Sequence, residues 1–242
     1  MKTALIIVDL QNDFSLGGSL AVPGGEKLAP KINEIMHHFD LVVGTRDWHP
    51  KNHGSFAMNH PGRTVFETVN LGGVTQVLWP THCVQDTHGA RYVEELDQSE
   101  IDKTVFKGLD PSVDSYSAFS DNGGNNPTIL KGWLLSANAT DVYVCGLATD
   151  YCVKATAIDA AKAGFSTHFL ADYSRGVNPE GIKEAILEMN AAGIQVHEGD
   201  FTGTAPECST GKSRSVTKVE DDLPKPPASE TEKTTGTGRT HE

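Results

Sequence analysis

Short apolar runs rich in branched residues alternate with longer amphipathic stretches along most of this chain. The apolar runs read ALIIVDL, DLVVGTRD, TVFKG, DVYVCG, STHFLADYS and IQVHEG, and stretches such as GGEKLAPKINEIMHHF and PEGIKEAILEMNAAG lie between them. Parallel strands need helical crossovers and become buried on both sides, so this alternation predicts an α/β fold with helices on both faces of a parallel sheet. Gly164 and Gly193 stand where helix C-caps are expected.

The domain organisation follows from length and from a change in composition. With 242 residues, 38% of them hydrophobic, the chain can bury one substantial core, although length alone also allows two domains. We expect one domain over residues 1–202. From about Gly203 the chain is rich in Ser, Thr, Pro, Lys and Glu, which predicts a disordered polar tail over residues 203–242. Between about Pro50 and Asp102 the alternation breaks, and long ordered insertions of this kind usually carry function.

Charge and cysteine usage restrict the partners. The net charge of −12 argues against binding to duplex nucleic acid, whose phosphates require a basic face. The first apolar run stops at Asp9, too short for a signal peptide or a membrane span, so we expect no membrane partner and a cytoplasmic location. Four cysteines without small-domain spacing predict free thiols rather than a disulfide framework. A homo-oligomer is left open.

Polar residues stand at the ends of several predicted strands, where parallel sheets bind their ligands. They are Asp9 after ALIIV, Asp47 after LVVGTR, Lys107 after TVF, and Cys152 in the first turn of the helix after DVYVCG. Any one of them alone is more often a solvated turn residue or a small core residue. Together they provide a thiol, a carboxylate that can take its proton, and an ammonium that favours thiolate, which indicates cysteine chemistry.

Cys152 is the candidate nucleophile among the four cysteines. Its expected place at a helix N-terminus favours an anion, which would lower the thiol pKa and could also bind an oxyanion. Cys145 lies within an apolar strand, where a buried inert thiol is expected, and Cys208 lies in the predicted tail.

A second group of side chains has the character of metal ligands. DWHPKNH contains Asp47, His49 and His53, and WPTHC supplies His82. Asp47 and His49 are two residues apart, so they share one side of an extended backbone, and His82 can complete a three-ligand site with open positions. This spacing is a weak metal signature, and loop histidines are usually solvent-facing. The residues by themselves indicate a metal-assisted cysteine hydrolase.

Five stretches carry a resemblance to a known family. VDLQNDF, TRDWHPKNHGSF, LWPTHCVQ, TVFKGLDPSVDSYSAF and VCGLATDYCVKATAIDA closely resemble, in order and spacing, the nicotinamidase branch of the isochorismatase-like hydrolases, from residue 3 to about residue 200. The resemblance implies a three-layer αβα fold with a parallel six-stranded sheet and one active site at its carboxyl edge. It also implies hydrolysis of nicotinamide to nicotinate and ammonia in NAD salvage, with pyrazinamide as a further substrate.

The resemblance assigns catalytic roles to matching residues. Asp9 is implied to be the general base and later acid, Lys107 to stabilise thiolate and transition state, and Cys152 to be the nucleophile that forms a thioester. The segment GLATD is implied to hold a non-proline cis peptide at Leu147–Ala148. The backbone N–H groups of Ala148 and Cys152 are implied to form the oxyanion hole.

The same resemblance implies a metal site. Asp47, His49 and His82 match the ligands of one divalent metal ion, commonly zinc, with iron or manganese as alternatives. The family differs in the loop after DWH, so His53 is left out of the predicted ligand set.

Phe14, Trp79 and Tyr116 match aromatic residues that wall the family's pocket, which suits a flat heteroaromatic amide.

Three rival functions stay open at this point. A sister amidase for N-carbamoyl or other small amides shares the Asp, Lys and Cys set, but the metal motif argues against it. A non-enzymatic nucleotide-binding module would need a glycine-rich loop that no predicted strand precedes. Isochorismate hydrolysis uses no cysteine nucleophile.

Overall fold

A computed structural model of the chain describes residues 2–201. The strands are β1 (Lys2–Val8), β2 (Leu41–Asp47), β3 (Thr68–Leu71), β4 (Val74–Val77), β5 (Lys103–Lys107), β6 (Ala139–Leu147), β7 (Ser166–Arg175) and β8 (Gln195–His197). The α-helices are α1 (Leu28–Met36), α2 (Leu130–Ser136), α3 (Lys154–Lys162) and α4 (Pro179–Ala191). The tail predicted at 203–242 lies outside the described residues, so the division of the chain at residue 202 stays a prediction.

Six strands form one parallel sheet in the order β5-β2-β1-β6-β7-β8. These are the six branched apolar runs of the sequence, so the predicted parallel six-stranded sheet is confirmed. The two central strands, β1 and β6, pair over almost the whole of β1, from Lys2 opposite Ala139 to Val8 opposite Gly146. The carboxyl ends of β1, β2, β5 and β6 therefore meet at one edge of the sheet.

Helices cover both faces of the sheet, which gives the predicted three layers. In β1, Leu5 and Ile7 pack in one hydrophobic cluster with α1, whereas Ile6 and Val8 pack in a second cluster with α2, α3 and α4. Alternate residues of a strand point to opposite faces, so a strand buried on both sides must be apolar throughout. Within residues 2–201, no helix is both long enough and apolar enough to cross a membrane.

The ends of α3 and α4 agree with the sequence analysis. Gly164 and Gly193 follow these helices with φ values of 97° and 80°, a left-handed conformation that glycine adopts without steric cost. At its start, α4 is capped by Asn178, whose side-chain oxygen accepts a hydrogen bond from the N–H of Gly181.

The irregular insertion is ordered and contains a hairpin that the sequence analysis did not predict. Strands β3 and β4 pair antiparallel around a turn at Gly72 and Gly73. The segment is joined to the rest of the domain by short bridges between His49 and Val84 and between Gln11 and Tyr92, and a bridge between Phe56 and Trp79 lies within it. It brings His82 and Trp79 to the carboxyl edge of the sheet.

Candidate active site

A buried lysine lies at the centre of the carboxyl edge. The Lys107 Nζ atom lies 2.8 Å from Asp9 Oδ2, 2.5 Å from Asp47 Oδ1 and 3.4 Å from the Cys152 sulfur. Asp9 directly follows β1, Asp47 ends β2, Lys107 ends β5, and Cys152 follows β6. The structure thus brings together the four strand-end residues that the sequence analysis singled out.

Lys107 is 1% exposed and also donates a hydrogen bond to the carbonyl oxygen of Ser115. Burial alone would lower the pKa of this ammonium, but the charges of Asp47 and Asp9 outweigh burial and hold the pKa well above its usual value. Lys107 is therefore a fixed positive charge beside the thiol.

Asp9 is fully buried and adopts a left-handed backbone conformation, with a φ of 49°. The Thr45 hydroxyl donates a 2.6 Å hydrogen bond to Asp9 Oδ1, and the Asp9 N–H donates to the same hydroxyl. Burial raises the pKa of Asp9 to about 6, against the opposing charge of Lys107. This carboxylate can therefore accept and return a proton near neutral pH. Thr45, a polar residue inside an apolar strand, was not singled out in the sequence.

Cys152 lies in a single π-helical turn, Thr149–Val153, that leads into α3. Burial raises the pKa of its thiol well above the usual value, and the charge of Lys107 offsets this only in part. The sequence-based expectation of a lowered thiol pKa is therefore not met, because burial outweighs the position at the helix start. A thiol with a raised pKa needs a base to remove its proton before it can act as a nucleophile. The carboxylate of Asp9 lies within 4.8 Å of the Cys152 sulfur.

The remaining cysteines of the described segment are buried and unpaired. Burial raises the pKa of Cys145, which lies within β6 as expected for an inert core thiol. Cys83 is likewise free and buried, and Cys208 lies outside the described residues.

Asp47, His49 and His82 present ligand atoms within 4.8 Å of one another. The Nδ1 atoms of His49 and His82 each lie 2.8 Å from a backbone carbonyl oxygen, of Gly108 and Pro80 respectively. A carbonyl only accepts hydrogen bonds, so Nδ1 carries the proton and Nε2 of each ring offers a lone pair towards Asp47. His49 Nε2 is buried and has no hydrogen-bond partner among residues 2–201. This donor set fits a divalent metal ion.

Two further side chains border this group. The Nδ1 atom of His53 lies 2.7 Å from the Ser55 hydroxyl, and its buried Nε2 has no partner in the described part of the chain. His53, His49 and Asp114 form a second set of ligand atoms within 4.8 Å of one another. Asp114 was not predicted, because nothing in its local sequence marks it. Gly108 has a φ of 66°, and a Cβ there would collide with the His49 ring.

The peptide bond between Leu147 and Ala148 is cis, which confirms the sequence-based expectation. Ala148 directly precedes the turn that carries Cys152, and its carbonyl oxygen accepts hydrogen bonds from the N–H groups of Tyr151 and Val153. Ala148 and Cys152 line the same cavity. Their proposed partnership in an oxyanion hole is therefore compatible with their positions.

That cavity has aromatic walls. Phe14, Trp79 and Tyr116, the three aromatic residues predicted to form the pocket, all line it. Tyr151 also lines it and meets Trp79 edge-on, with ring centroids 4.9 Å apart. Tyr151 was not predicted, although it directly precedes Cys152 in the sequence. This aromatic slot, which Cys152 also lines, has walls that suit a flat ring.

Comparisons with known proteins agree with this geometry. The family model described as "Isochorismatase domain" matches residues 3–200. A nicotinamidase of Acinetobacter baylyi is 44% identical over 193 residues, which cover 79% of this chain and 90% of that protein. The yeast nicotinamidase bound to the inhibitor nicotinaldehyde superposes with a TM-score of 0.78 at 39% identity, covering 81% of this chain and 100% of that one. Pyrococcus horikoshii pyrazinamidase in complex with zinc gives a TM-score of 0.67 at 40% identity, covering 82% and 100%. The chain therefore belongs to the isochorismatase family of hydrolases.

Proposed function

We propose that the protein is a cysteine amidase that hydrolyses nicotinamide to nicotinate and ammonia. The observation that carries the proposal is the contact of one buried ammonium, Lys107, with the Asp9 carboxylate and the Cys152 thiol at the side of an aromatic slot. Relatives that match over nearly their whole length are nicotinamidases, and one of them binds nicotinaldehyde, which has an aldehyde where nicotinamide has its amide.

In the first half of the reaction, Asp9 takes the proton from the Cys152 sulfur while the thiolate attacks the carboxamide carbon. Lys107, 3.4 Å from the sulfur, stabilises the developing thiolate. The backbone N–H groups of Ala148 and Cys152 donate hydrogen bonds to the oxyanion. The C–N bond then breaks, Asp9 returns the proton to the leaving nitrogen, and ammonia departs from a thioester on Cys152.

In the second half, Asp9 takes a proton from a water molecule as its oxygen attacks the thioester carbonyl. The same two N–H groups hold the second oxyanion. The C–S bond breaks, the proton returns to the sulfur of Cys152, and the acid product loses its carboxyl proton to solvent and leaves as nicotinate. A carboxylate with a pKa near 6 suits both directions of transfer, because neither protonation state is strongly favoured near neutral pH.

Asp47, His49 and His82 are the proposed ligands of one divalent ion, with Zn²⁺ first and Fe²⁺ or Mn²⁺ as alternatives. A bound ion of this kind supplies a Lewis-acidic centre that orients a heteroaromatic ring in the slot. Support comes from the Nδ1 contacts of His49 and His82 with backbone carbonyls, which leave a lone pair on Nε2 of each ring, and from the zinc complex of a related pyrazinamidase. The aromatic walls suit pyrazinamide as a second substrate. The cytoplasmic location stays a prediction.

The test is ammonia release from nicotinamide by the purified full-length chain, compared with Cys152→Ala. We expect turnover by the wild type and its loss in Cys152→Ala, with an unchanged circular dichroism spectrum and metal content. Near wild-type turnover by a folded, metal-loaded Cys152→Ala protein would show that the nucleophile lies elsewhere. Absence of turnover in the metal-loaded wild type would remove nicotinamide as the substrate, and a panel of carbamoyl and aromatic amides would follow.

A further inference from the structure

A threonine inside an apolar strand makes two side-chain hydrogen bonds, both with the proposed base. Thr45 of β2 is fully buried, and its hydroxyl donates a 2.6 Å hydrogen bond to Asp9 Oδ1. The same hydroxyl accepts a 3.1 Å hydrogen bond from the Asp9 N–H. A hydroxyl has a single proton, and the backbone N–H occupies one of its lone pairs, so that proton is directed at the carboxylate. Thr45 therefore holds both the backbone and the side chain of Asp9.

The second carboxylate oxygen of Asp9 is in a different position. Lys107 Nζ lies 2.8 Å from this oxygen, Oδ2. The three N–H groups of the ammonium, however, are directed at three other acceptors: Asp47 Oδ1, the Ser115 carbonyl oxygen and the Cys152 sulfur. Within residues 2–201, the buried Oδ2 atom accordingly has no hydrogen-bond donor. Lys107 attracts Asp9 by its charge, and the Thr45 hydroxyl supplies the hydrogen bond that orients the carboxylate.

The thiol has a proton to transfer in this direction. The Cys152 sulfur accepts a hydrogen bond from Lys107, so its own proton points elsewhere, and a carboxylate oxygen of Asp9 lies within 4.8 Å of it. Asp9 Oδ1 already accepts the Thr45 proton, whereas the lone pairs of Oδ2 are not engaged by a donor in the described part of the chain. The two oxygens of the base are therefore not equivalent.

We propose that Thr45 is a positioning residue whose hydroxyl holds Asp9 Oδ1 and thereby presents Oδ2 as the atom that takes the proton from the Cys152 sulfur. This inference rests on the proposed function for the role of Asp9 as the base. The S–H bond breaks as an O–H bond forms at Oδ2, and the same proton later moves to the leaving nitrogen, so no other proton source is required. Thr45 acts through Asp9 and does not contact the reacting atoms.

The chain contains the same reciprocal contact a second time, which provides a matched control. Thr3 of β1 is also buried, and its hydroxyl donates to Asp40 Oδ2 at 3.2 Å and accepts from the Asp40 N–H at 3.3 Å. Thr3 lies near the start of β1 and Asp9 directly follows the end of this strand. At about 3.3 Å per residue, the two contacts are roughly 20 Å apart, at opposite edges of the sheet.

The inference predicts a loss in kcat rather than in substrate binding. Thr45→Val keeps the shape of the side chain and removes the hydroxyl. We expect its kcat for nicotinamide to fall about 10- to 100-fold while KM changes by less than about threefold, because a misdirected base slows proton transfer and leaves the aromatic slot intact. Both constants are taken on the plateau of the pH profile, so that a change in the protonation of Asp9 does not account for the loss.

Two further variants separate positioning from a structural role. Thr45→Ser retains the hydroxyl and should keep kcat within about threefold of the wild type. Thr3→Val should lower Tm by an amount similar to that of Thr45→Val and leave kcat and KM unchanged. Wild-type kcat in a folded Thr45→Val protein, no recovery in Thr45→Ser, or an equal loss of kcat in Thr3→Val would overturn the inference. If Thr45→Val does not fold, Thr45→Cys, whose thiol is only a weak donor, takes its place.

A structural measurement keeps this inference distinct from the proposed function. Crystal structures of the full-length wild type, Thr45→Val and Thr45→Ser need no turnover. We expect one orientation of the Asp9 carboxylate in the wild type and in Thr45→Ser, and a rotated or divided carboxylate in Thr45→Val. If the wild type does not hydrolyse nicotinamide but the carboxylate rotates in Thr45→Val alone, the proposed function fails while the positioning by Thr45 stands. If the wild type hydrolyses nicotinamide and the carboxylate of Thr45→Val is unchanged, only the inference about Thr45 fails.

Discussion

Replacing Asp9 by Asn should nearly abolish turnover while leaving the domain folded. Asparagine has the same shape, and its carbonyl oxygen can still accept the hydrogen bond that the Thr45 hydroxyl donates to Asp9 Oδ1. It cannot take a proton from Cys152. Removing a positioned general base costs about 100- to 10,000-fold in rate, which corresponds to about 3–5 kcal/mol of activation free energy.

The effect on stability should be much smaller than the effect on catalysis. Lys107 loses one of its two carboxylate partners but keeps the ion pair with Asp47. We expect a loss of about 1–3 kcal/mol in the free energy of unfolding, or a Tm lower by roughly 2–12 °C. The matched control is Asp102→Asn, because the Asp102 carboxylate accepts a hydrogen bond from the N–H of Val42 at the opposite edge of the same sheet. This control should retain wild-type kcat.

The assay is ammonia release over a range of nicotinamide concentrations. The pH profile is recorded for the wild type, and the metal content is measured on each preparation. Burial raises the pKa of Asp9 to about 6, and below that pH the protonated carboxyl cannot act as a base. In the wild type, kcat/KM should therefore fall by about tenfold per unit as the pH drops below 6. A metal-loaded Asp9→Asn protein with kcat within threefold of the wild type would refute the role of Asp9.

Four further results are expected. Chelation followed by dialysis should remove activity, and re-adding Zn²⁺ should restore it; activity that survives with no measurable metal would contradict the proposed ion. His82→Asn should lower bound metal from about one equivalent, because it removes one of the proposed ligands, and metal content by mass spectrometry checks this. Gly108→Ala should also reduce metal content, because its Cβ collides with the His49 ring and its φ of 66° disfavours alanine; unchanged metal binding would show that the ring can move. Trp79→Ala should raise KM more than it lowers kcat, measured by steady-state kinetics, since Trp79 lines the slot and does not take part in proton transfer.

The alternation of apolar runs and amphipathic stretches was enough to predict the parallel sheet. Strands buried on both faces must be apolar throughout, and parallel pairs must be joined by helices. The hairpin of β3 and β4 was missed for the opposite reason. Its strands are only four residues long and mostly half-buried, so their sequence is too short to show a sustained apolar alternation.

Part of the candidate site could also be predicted from the geometry of parallel strands. Asp9, Asp47 and Lys107 end parallel strands, and such ends converge at one edge whatever the details of packing. Three other residues of the site are not marked by their local sequence: Thr45 contacts Asp9, Asp114 lies beside His49 and His53, and Tyr151 lines the cavity.

By itself, the sequence determined the α/β class, the order of the strands along the chain and the strand-end residues that meet at the carboxyl edge. These depend on residue periodicity and on the geometry of parallel crossovers, which are properties of local segments. Only the tertiary structure decided the pKa values of the titratable groups in the site. Burial raises the pKa of Cys152 where its place at a helix start suggested the reverse, and it raises the pKa of Asp9 to about 6, which fits the base proposed for this site. Desolvation depends on every group packed around a side chain, and those groups come from segments far apart in the chain.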